Sequence, residues 1–512
     1  NFAQPGGAIN RVGNMEINQA SGALNFAAMR VGDLDVYANT INLGPISVDG
    51  YIWAAANGDL TVNGPLSAAT SSVHLFAGQT GPGTMTLDGN ITAYTNTQFV
   101  NKGGSIGHAG GEIWAQTGYV EFNNNHPTTP TGSYISLGSV KGTGPLHGDY
   151  HDEITVTSRG QILDNNGSAT NITADIHKKI YLISAQGSPN SSALAISADT
   201  ATVGSITARV DSGASYGGID IRNSGAATPG SINISDTASA GKGIAFSHGG
   251  SDLVLNDGSH VFLMDKAGDI SITAGSNMTL DGRPFIYIPS SAFTVLLSAA
   301  GTMDFVGGAF ALPHSKLQLQ AASIQLGAGS SIEAKSIVAT VSDNITLDNG
   351  GHFHAGNDID LSFSGPASTL SMSNGGYVLA NTADTIRLDF MARSSGGVMI
   401  DGVETITSLP GGSGLFVLNH STPALPGAGL EVTYGVANSS AVLDLCAFSP
   451  TLCNPPNPGV SPIFIEVNQA PGLGEDKTAK CAEGSFGCEE EQVRDGHRPD
   501  RRTHRGRVAQ CM

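Results

Sequence analysis

The chain has 512 residues, of which 40% are hydrophobic, 13% charged and 6% aromatic, and its formal net charge at pH 7 is -19. An acidic protein is repelled by nucleic-acid phosphates and by anionic membranes, so this charge argues against nucleic-acid partners. The hydrophobic content in regular alternation argues against a disordered chain. No apolar run reaches the ~18 residues that a membrane-spanning helix needs.

A short phrase recurs from Leu34 to Leu388: an aliphatic residue, a small polar residue, a second aliphatic residue, then usually Asn, Asp or Gly. Met-Thr-Leu-Asp-Gly occurs verbatim at both 85–89 and 278–282. Because side chains of a strand alternate between its two faces, the phrase predicts a short, half-buried strand. The Asn-Gly or Asp-Gly that follows tolerates positive φ and predicts a sharp corner.

Strands this short bury little apolar surface alone, so we expect them to stack as coils of ~20 to 25 residues around one continuous core. The predicted fold is all-β: a single-stranded parallel β-helix, or β-solenoid, spanning residues 1–409. The alternation is interrupted by Pro, Gly and His at 126–132 and 142–153. These two stretches are predicted to loop out from corners of the coil.

The sequence pattern changes after residue 409, where Pro-Gly clusters separate a few short apolar segments. A solenoid needs an atypical terminal unit to cover its last open edge, so residues 410–470 are predicted to form a C-terminal cap. Residues 471–512 are polar, dense in charge and contain cysteines. This composition is typical of a disordered tail.

All five cysteines lie near the C-terminus, and they are candidates for disulfides or for a tether: Cys446, Cys453, Cys481, Cys488 and Cys511. A long body without cysteine suits a chain that is exported unfolded, so we expect the protein to be extracellular. The alternative is a cytosolic protein with free thiols or a metal site. The Cys-x6-Cys spacing does not match the usual Cys-x2-Cys of zinc sites.

The densest cluster of chemically active side chains falls in the two interrupting stretches, and its members form a candidate binding loop: His126, His147, Asp149 and His151. A metal site or an acid–base pair could be built from such residues. A polar loop insertion explains them as well and is the favoured interpretation. We therefore assign no catalytic, cofactor-binding or metal-ligating residue and expect no cofactor.

Several Asn residues precede an aliphatic residue and then Ser or Thr, namely Asn90, Asn171, Asn233, Asn277 and Asn344. This pattern is an acceptor sequence for N-linked glycans in a secreted protein. It also results when Asn forms the corner and the Ser or Thr faces outward on the next strand. The corner interpretation is favoured.

The repeated phrase, the low charge and the C-terminal cysteines resemble the filamentous-haemagglutinin-like exoproteins of bacterial two-partner secretion, over about residues 10–440. The resemblance implies a right-handed parallel β-helix that crosses the outer membrane through a partner barrel and acts in adhesion, aggregation or biofilm formation. The N-terminal secretion domain of that family is not visible near Asn1. The chain is therefore expected to be a C-terminal portion of a longer exoprotein, and Cys481 to Met512 a candidate tether to the pore.

The leading hypothesis is a non-enzymatic adhesin or fibre protein, secreted or on the bacterial cell surface, with host or bacterial surface glycans or proteins as partners. One alternative is a secreted, polysaccharide-degrading β-helix enzyme, which would need clustered carboxylates on adjacent coils. A second alternative is an extracellular structural filament that self-associates end to end. Concentration-dependent fibres that disappear on deletion of residues 410–470 would favour the filament.

Overall fold

The computed structural model describes residues 13–142, 153–256, 262–282, 285–287 and 293–380, apart from residues 168, 176–177, 212, 266–267, 366 and 374–375. It also describes strands at 2–3, 9–10, 385–390, 398–400, 403–406, 414–420, 430–435, 464–466, 488–490 and 509–511. The described residues contain strands, turns and isolated bridges but no helix. Two compact units divide the chain: Asn1–Ser276 with Pro284–Phe293, and Asn277–Arg283 with Thr294–Met512.

In the first unit the chain winds as a parallel β-solenoid with three faces, which confirms the fold class predicted from the alternating phrase. Each coil contributes up to three short strands, and each strand pairs in parallel with its counterparts in the preceding and following coils. Two long strands, Met15–Phe26 and Leu34–Leu43, continue around a corner. The first half of each lies on face 1 and the second half on face 2. The right-handed sense of the coil stays a prediction.

Face 1 is formed by the first halves of those two strands and by Ile52–Ala56, Val73–Ala77, Thr97–Asn101, Val120–Asn123, Glu153–Ser158, Lys179–Ser184, Ser205–Val210, Ser231–Asp236, Phe262–Asp265 and Phe285–Tyr287. Face 2 is formed by Phe2–Ala3, the second halves of the same two strands, Leu60–Val62, Met85–Leu87, Ile106–His108, Ile135–Leu137, Ile162–Asp164, the start of Ile196–Thr202, Ile219–Asn223, Ile244–His248 and Ile270–Ala274.

Face 3 is formed by Ile9–Asn10, Met29–Val31, Ile46–Val48, Leu66–Ala68, Ile91–Ala93, Glu112–Ala115, Ser139–Gly142, Ile172–Ala174 and the end of Ile196–Thr202. A further strand of this unit spans Leu253–Asn256.

The core of the first unit consists of columns of aliphatic side chains that stack from coil to coil. One column on face 2 contains Ile41, Leu60, Met85, Ile106, Ile135, Ile162, Ile196, Ile219, Ile244 and Ile270, none more than 2% exposed. The alternating burial along each strand places the intervening residue outside, as in the pattern buried, intermediate, buried of Met85–Leu87. Each fully buried aliphatic side chain contributes about 1.5 to 3 kcal/mol of transfer free energy, so repetition alone builds a stable interior.

The corners use glycine in two different ways. Gly282 and Gly350 follow Asp and Asn and have φ of +81° and +80°, as the dipeptide pattern predicts. Gly89 also follows Asp, yet its φ does not fall in that region; a Cβ there would lie 2.2 Å from the carbonyl oxygen of Gly64. At this corner glycine is therefore required because two coils approach closely, and not because of positive φ.

Asn and Asp side chains at the corners join consecutive coils by accepting hydrogen bonds from backbone N–H groups. The Oδ1 atoms of Asn90, Asn277 and Asn344 accept from the amides of Glu112, Thr302 and Thr369 at 2.8, 2.8 and 3.0 Å. This geometry supports the corner interpretation at these three positions, but the interpretation is wrong for Asn233, which lies at an exposed position within the strand Ser231–Asp236. Such a bond satisfies an amide that has no partner in the sheet ladder.

The second unit is also a parallel solenoid with three columns of strands. The first column is Thr294–Ala299, the second halves of Ala309–Ala321 and Ser331–Val341, Ile359–Phe363 and Thr385–Phe390. The second is Met278–Asp281, Thr302–Val306, Ser323–Leu326, Asn344–Asp348, Thr369–Ser373 and Val398–Ile400. The third is the first halves of Ala309–Ala321 and Ser331–Val341, then His352–Ala355 and Tyr377–Ala380.

Antiparallel pairing begins near the predicted end of the β-helix. Val403–Ile406 pairs with Val398–Ile400, and Gly414–His420 pairs with Thr385–Phe390 and with Leu430–Gly435. The strands further on are Phe464–Glu466, Cys488–Glu490 and Ala509–Cys511. The domain limits at 409 and 470, the cap and the tail stay predictions.

Coil length varies along the chain more than the repeated phrase predicts. Leu24 pairs with Ile41, whereas Ile162 pairs with Ile196, so the second of these coils is about twice as long as the first. The long coil contains extra residues at its corners, including a turn at Asn190, whose Oδ1 accepts from the Ser192 amide at 3.0 Å. Insertions are thus absorbed at corners while strand pairing continues.

Candidate functional site

His126 lies in a corner loop that forms hydrogen bonds to the neighbouring coils of the solenoid. The side chain of His126 accepts the Thr128 amide at Nδ1, 3.3 Å away, and its carbonyl accepts a hydrogen bond of 2.6 Å from Nη1 of Arg159. The hydroxyls of Thr128 and Thr129 both donate to the carbonyl of Lys102, at 2.9 and 3.1 Å. The loop is therefore an ordered part of the corner, and the His126 imidazole forms hydrogen bonds within the loop.

The other members of the candidate binding loop, His147, Asp149 and His151, lie outside the described residues, as do Cys446, Cys453 and Cys481. Cys488 and Cys511 are register partners of an antiparallel strand pair, but their side chains also lie outside the described residues. In the part of the chain that the structure describes, no group of three or more His, Cys, Asp or Glu residues is placed to hold a metal ion.

A shallow groove of about 520 Å³ lies over the first described coils of face 1. We call it the acid–aromatic groove; its polar and aromatic lining consists of Glu16, Asn18, Asp35, Tyr37, Tyr51 and Trp53, together with Ile17. It combines two carboxylates, one amide and three aromatic rings in one small area. No sequence motif pointed to this site.

Strand register brings these side chains together. Glu16 is the direct partner of Asp35, and Asp35 is in turn the partner of Trp53 on the next coil. All three side chains point outward, because their neighbours along each strand, such as Val36 next to Asp35 and Ala54 next to Trp53, point into the core and are fully buried. Neighbouring strands are ~4.8 Å apart, so the Glu16 and Asp35 carboxylates belong to adjacent coils within reach of one ligand.

Tyr37, Tyr51 and Trp53 form the aromatic wall of the groove. Asn18 pairs with Tyr37 on the following coil, and the Tyr37 hydroxyl donates a hydrogen bond of 2.7 Å to Oδ1 of Asn57. The Trp53 ring packs against Phe76 at a centroid separation of 5.7 Å with a tilt of 43°. These contacts hold the aromatic rings in place, so little side-chain entropy remains to be lost on binding.

The groove is electrostatically negative. Partial burial, and then the neighbouring Glu16 carboxylate, raise the pKa of Asp35. Burial and then the carboxylates of Asp35, Asp33 and Glu16 raise the pKa of the Tyr51 hydroxyl. Both shifts show that a negative charge is unfavourable at these positions, first because of burial and then because of the neighbouring carboxylates.

Beyond the groove, the outward side chains of face 1 form a hydrogen-bonded row that we call the outward ladder: His74, Gln98, Glu121 and Asn123. Nδ1 of His74 lies 3.1 Å from Oε1 of Gln98, and Nε2 of Gln98 donates to Oε2 of Glu121 at 2.8 Å. Nδ2 of Asn123 donates to the other Glu121 oxygen at 3.2 Å. The ladder therefore presents a pre-ordered polar strip along the same face as the groove.

Sequence reasoning missed the groove because it treated the outward positions as interchangeable small polar residues. A signal was present: Trp53 is one of two tryptophans in the chain and stands at an outward position of the repeated strand pattern. Glu16 and Asp35 are separated in the sequence by close to one predicted coil length. Their spacing of about one coil makes these three residues candidates for contact, although the spacing alone does not determine the register between coils.

No helix among the described residues is long and apolar enough to cross a membrane. Comparison of the chain with protein-family models, with curated proteins and with solved structures yields no match.

Proposed function

We propose that this protein is a non-enzymatic, secreted or cell-surface β-solenoid that mediates attachment, and that face 1 of its first unit is the attachment surface. The observation that carries the proposal is the acid–aromatic groove. A folding scaffold alone does not require three aromatic rings and two adjacent carboxylates at outward positions. Partly exposed aromatic residues with nearby hydrogen-bonding groups are typical of recognition surfaces.

Two further observations support attachment. The outward ladder extends the polar surface along the same face, so a long ligand could contact several coils. The acidic charge of -19 disfavours nucleic acids and favours neutral or cationic partners. We also propose, from the resemblance in repeat texture, a filamentous-haemagglutinin-like exoprotein that reaches the cell surface through a two-partner secretion barrel.

Adsorption of the purified full chain to glycan-coated and cell-derived surfaces tests the proposal. Replacement of Trp53 by Ala is expected to reduce adsorption roughly tenfold, because loss of a central aromatic contact commonly costs about 1.4 kcal/mol or more. Trp114→Ala is the matched control, since Trp114 lies on face 3 under the ammonium of Lys141, 5.0 Å from its ring centroid. Equal adsorption by both variants would contradict the assignment of face 1.

A polysaccharide-degrading enzyme is the second candidate, because Glu16 and Asp35 are adjacent carboxylates and the raised pKa of Asp35 suits a general acid. Paired carboxylates of this kind carry out glycoside hydrolysis. Release of reducing sugar by the full chain, abolished in both Glu16→Gln and Asp35→Asn, would favour the enzyme. Adsorption without any release of reducing sugar would favour the attachment protein.

A further inference from the structure

The charges that line the acid–aromatic groove favour a positively charged ligand. Within residues 13–62 the acidic residues are Glu16, Asp33, Asp35, Asp49 and Asp59, and the single basic residue is Arg30. Arg30 lies on face 3, where its guanidinium is 3.5 Å from the Asp49 carboxylate. Neither Glu16 nor Asp35 forms an ion pair among the described residues, so no described cation offsets the negative charge of the groove.

The aromatic rings of the groove also favour a positively charged ligand. The faces of Tyr and Trp rings attract cations, and nearby carboxylates attract the same cation by charge. An ammonium group has three donors and no acceptor, whereas ionised carboxylates only accept, so the two are complementary. One ammonium between Glu16 and Asp35 would relieve the repulsion between their carboxylates, and it would lie next to Trp53 on the following coil.

We propose that the acid–aromatic groove binds an amine-bearing polysaccharide, with a sugar ammonium between Glu16 and Asp35 and a pyranose ring against the aromatic wall of Tyr37, Tyr51 and Trp53. The proposal rests on the proposed function, in that face 1 is taken as the attachment surface. It goes further by naming the ligand class.

The shape of the groove favours a sugar over a lysine side chain. Its volume of about 520 Å³ exceeds what one ammonium group occupies. Tyr51 is 37% exposed, so the groove is open rather than an enclosed cage. The Asn18 amide can hydrogen-bond a ring hydroxyl, whereas a lysine side chain offers only its ammonium, which the carboxylates would take.

The test uses the full chain with Trp114→Phe, which leaves Trp53 as the sole indole. Titration with a tetramer of β-1,4-linked glucosamine is expected to change Trp53 fluorescence saturably. The fully N-acetylated tetramer, which has no ammonium, is expected to bind at least tenfold more weakly. A tetramer of lysine is expected to bind more weakly than the glucosamine tetramer at equal ionic strength.

Charge-removing variants locate the ammonium. Asp35→Asn with Glu16→Gln is expected to lower affinity for the glucosamine tetramer at least tenfold. Asp49→Asn with Asp59→Asn, which removes the same charge from neighbouring corners, is expected to lower it less than threefold. Both variants are compared after circular dichroism has shown retained β-structure; if the groove variant is unfolded, Asp35→Asn alone provides the comparison.

Three results would overturn the proposal: no saturable change with the glucosamine tetramer, equal binding of the acetylated tetramer, or tighter binding of the lysine tetramer. The last would identify the groove as a site for a basic polypeptide. If Trp53→Ala abolishes surface adsorption but the glucosamine tetramer does not bind, the ligand class is wrong and the attachment function stands. If adsorption does not depend on Trp53, the attachment surface itself is wrong.

Discussion

His108 occupies an interior position of face 2 that the repeated phrase usually fills with an aliphatic side chain. Its register partner in the preceding coil is Leu87, and its ring is fully buried beside Phe122, with centroids 6.3 Å apart. Nδ1 accepts the Gly138 amide at 3.1 Å, and Nε2 lies 3.3 Å from the Gly111 carbonyl. The imidazole thus satisfies two backbone groups at a corner, in the tautomer that carries its proton on Nε2.

Acidification should destabilise the first unit through His108. Burial, only partly offset by hydrogen bonds to the Gly111 and Gly110 backbone, lowers the pKa of His108 from 6.5 to about 4. The unfolded chain therefore binds a proton between those pH values that the folded chain does not. Stability is fully present above pH 6.5 and falls by up to about 3 kcal/mol as the pH approaches 4.

Urea unfolding at pH 7.0, 5.5 and 4.5 measures this effect. In His108→Leu the His108 contribution to the pH dependence should disappear, although stability at pH 7 should fall by about 1 to 3 kcal/mol because the Gly138 amide loses its partner. His354→Gln, on the outward side of its strand, is the comparison variant, which removes one histidine and leaves the His108 site intact. An unchanged pH dependence in His108→Leu would show that other groups cause it.

At the scale of a single element, the corner loop at 125–133 shows how an insertion becomes ordered. Its contacts to the solenoid are the Lys102 carbonyl, which accepts from Thr128 and Thr129, and the hydrogen bond from Arg159 to His126. Thr129 is only 2% exposed despite its place in a loop. The sequence predicted a loop here correctly, but not that neighbouring coils would hold it.

Arg159→Ala should loosen this loop without unfolding the coils. The expected result is amide hydrogen exchange at residues 125–133 that is faster by roughly tenfold or more, because a charge-assisted hydrogen bond contributes about 1.5 to 3 kcal/mol. Arg209→Ala is the control, since Arg209 forms an exposed ion pair with Asp211 at 2.7 Å, and such pairs contribute little. Unchanged exchange at 125–133 in Arg159→Ala would mean that the two threonines suffice.

At the scale of the whole molecule, each unit is built by repetition, and each coil contacts chiefly its neighbours. Stability in such an architecture is approximately a sum of terms for each coil and for each pair of neighbouring coils. The first unit departs from strict repetition where polar residues are buried. Asn171, for example, is fully buried, donates to the Leu137 carbonyl at 2.9 Å and accepts the Asp199 amide at 2.8 Å.

A charge placed in the interior should therefore disrupt the first unit locally. In Ile135→Asp, we expect rapid hydrogen exchange in the coils that contain Ile106, Ile135 and Ile162, which are register partners. Strands several coils away, such as Leu60–Val62, should keep most of their protection. Ser136→Asp, at the adjacent outward position, is the control and should change little; loss of protection throughout the unit would contradict the local model.

The sequence by itself determined the fold class, because the repeated strand phrase depends only on period-two alternation, which is a local property. Leu60, Val62, Ile270 and Ile272 are all buried as the phrase predicts. The corners were also predictable where Asp-Gly and Asn-Gly adopt positive φ, although the close approach at Gly89 was not.

Only the tertiary structure decided which outward residues meet. Coil length varies about twofold, so the register between coils depends on how many residues each corner absorbs, and no local pattern encodes that number. Glu16, Asp35 and Trp53 become neighbours through strand pairing between coils, and the acid–aromatic groove exists only once that pairing is in place. The same non-local register brings His108 to the amide of Gly138, which lies 30 residues further along the chain, in the next coil.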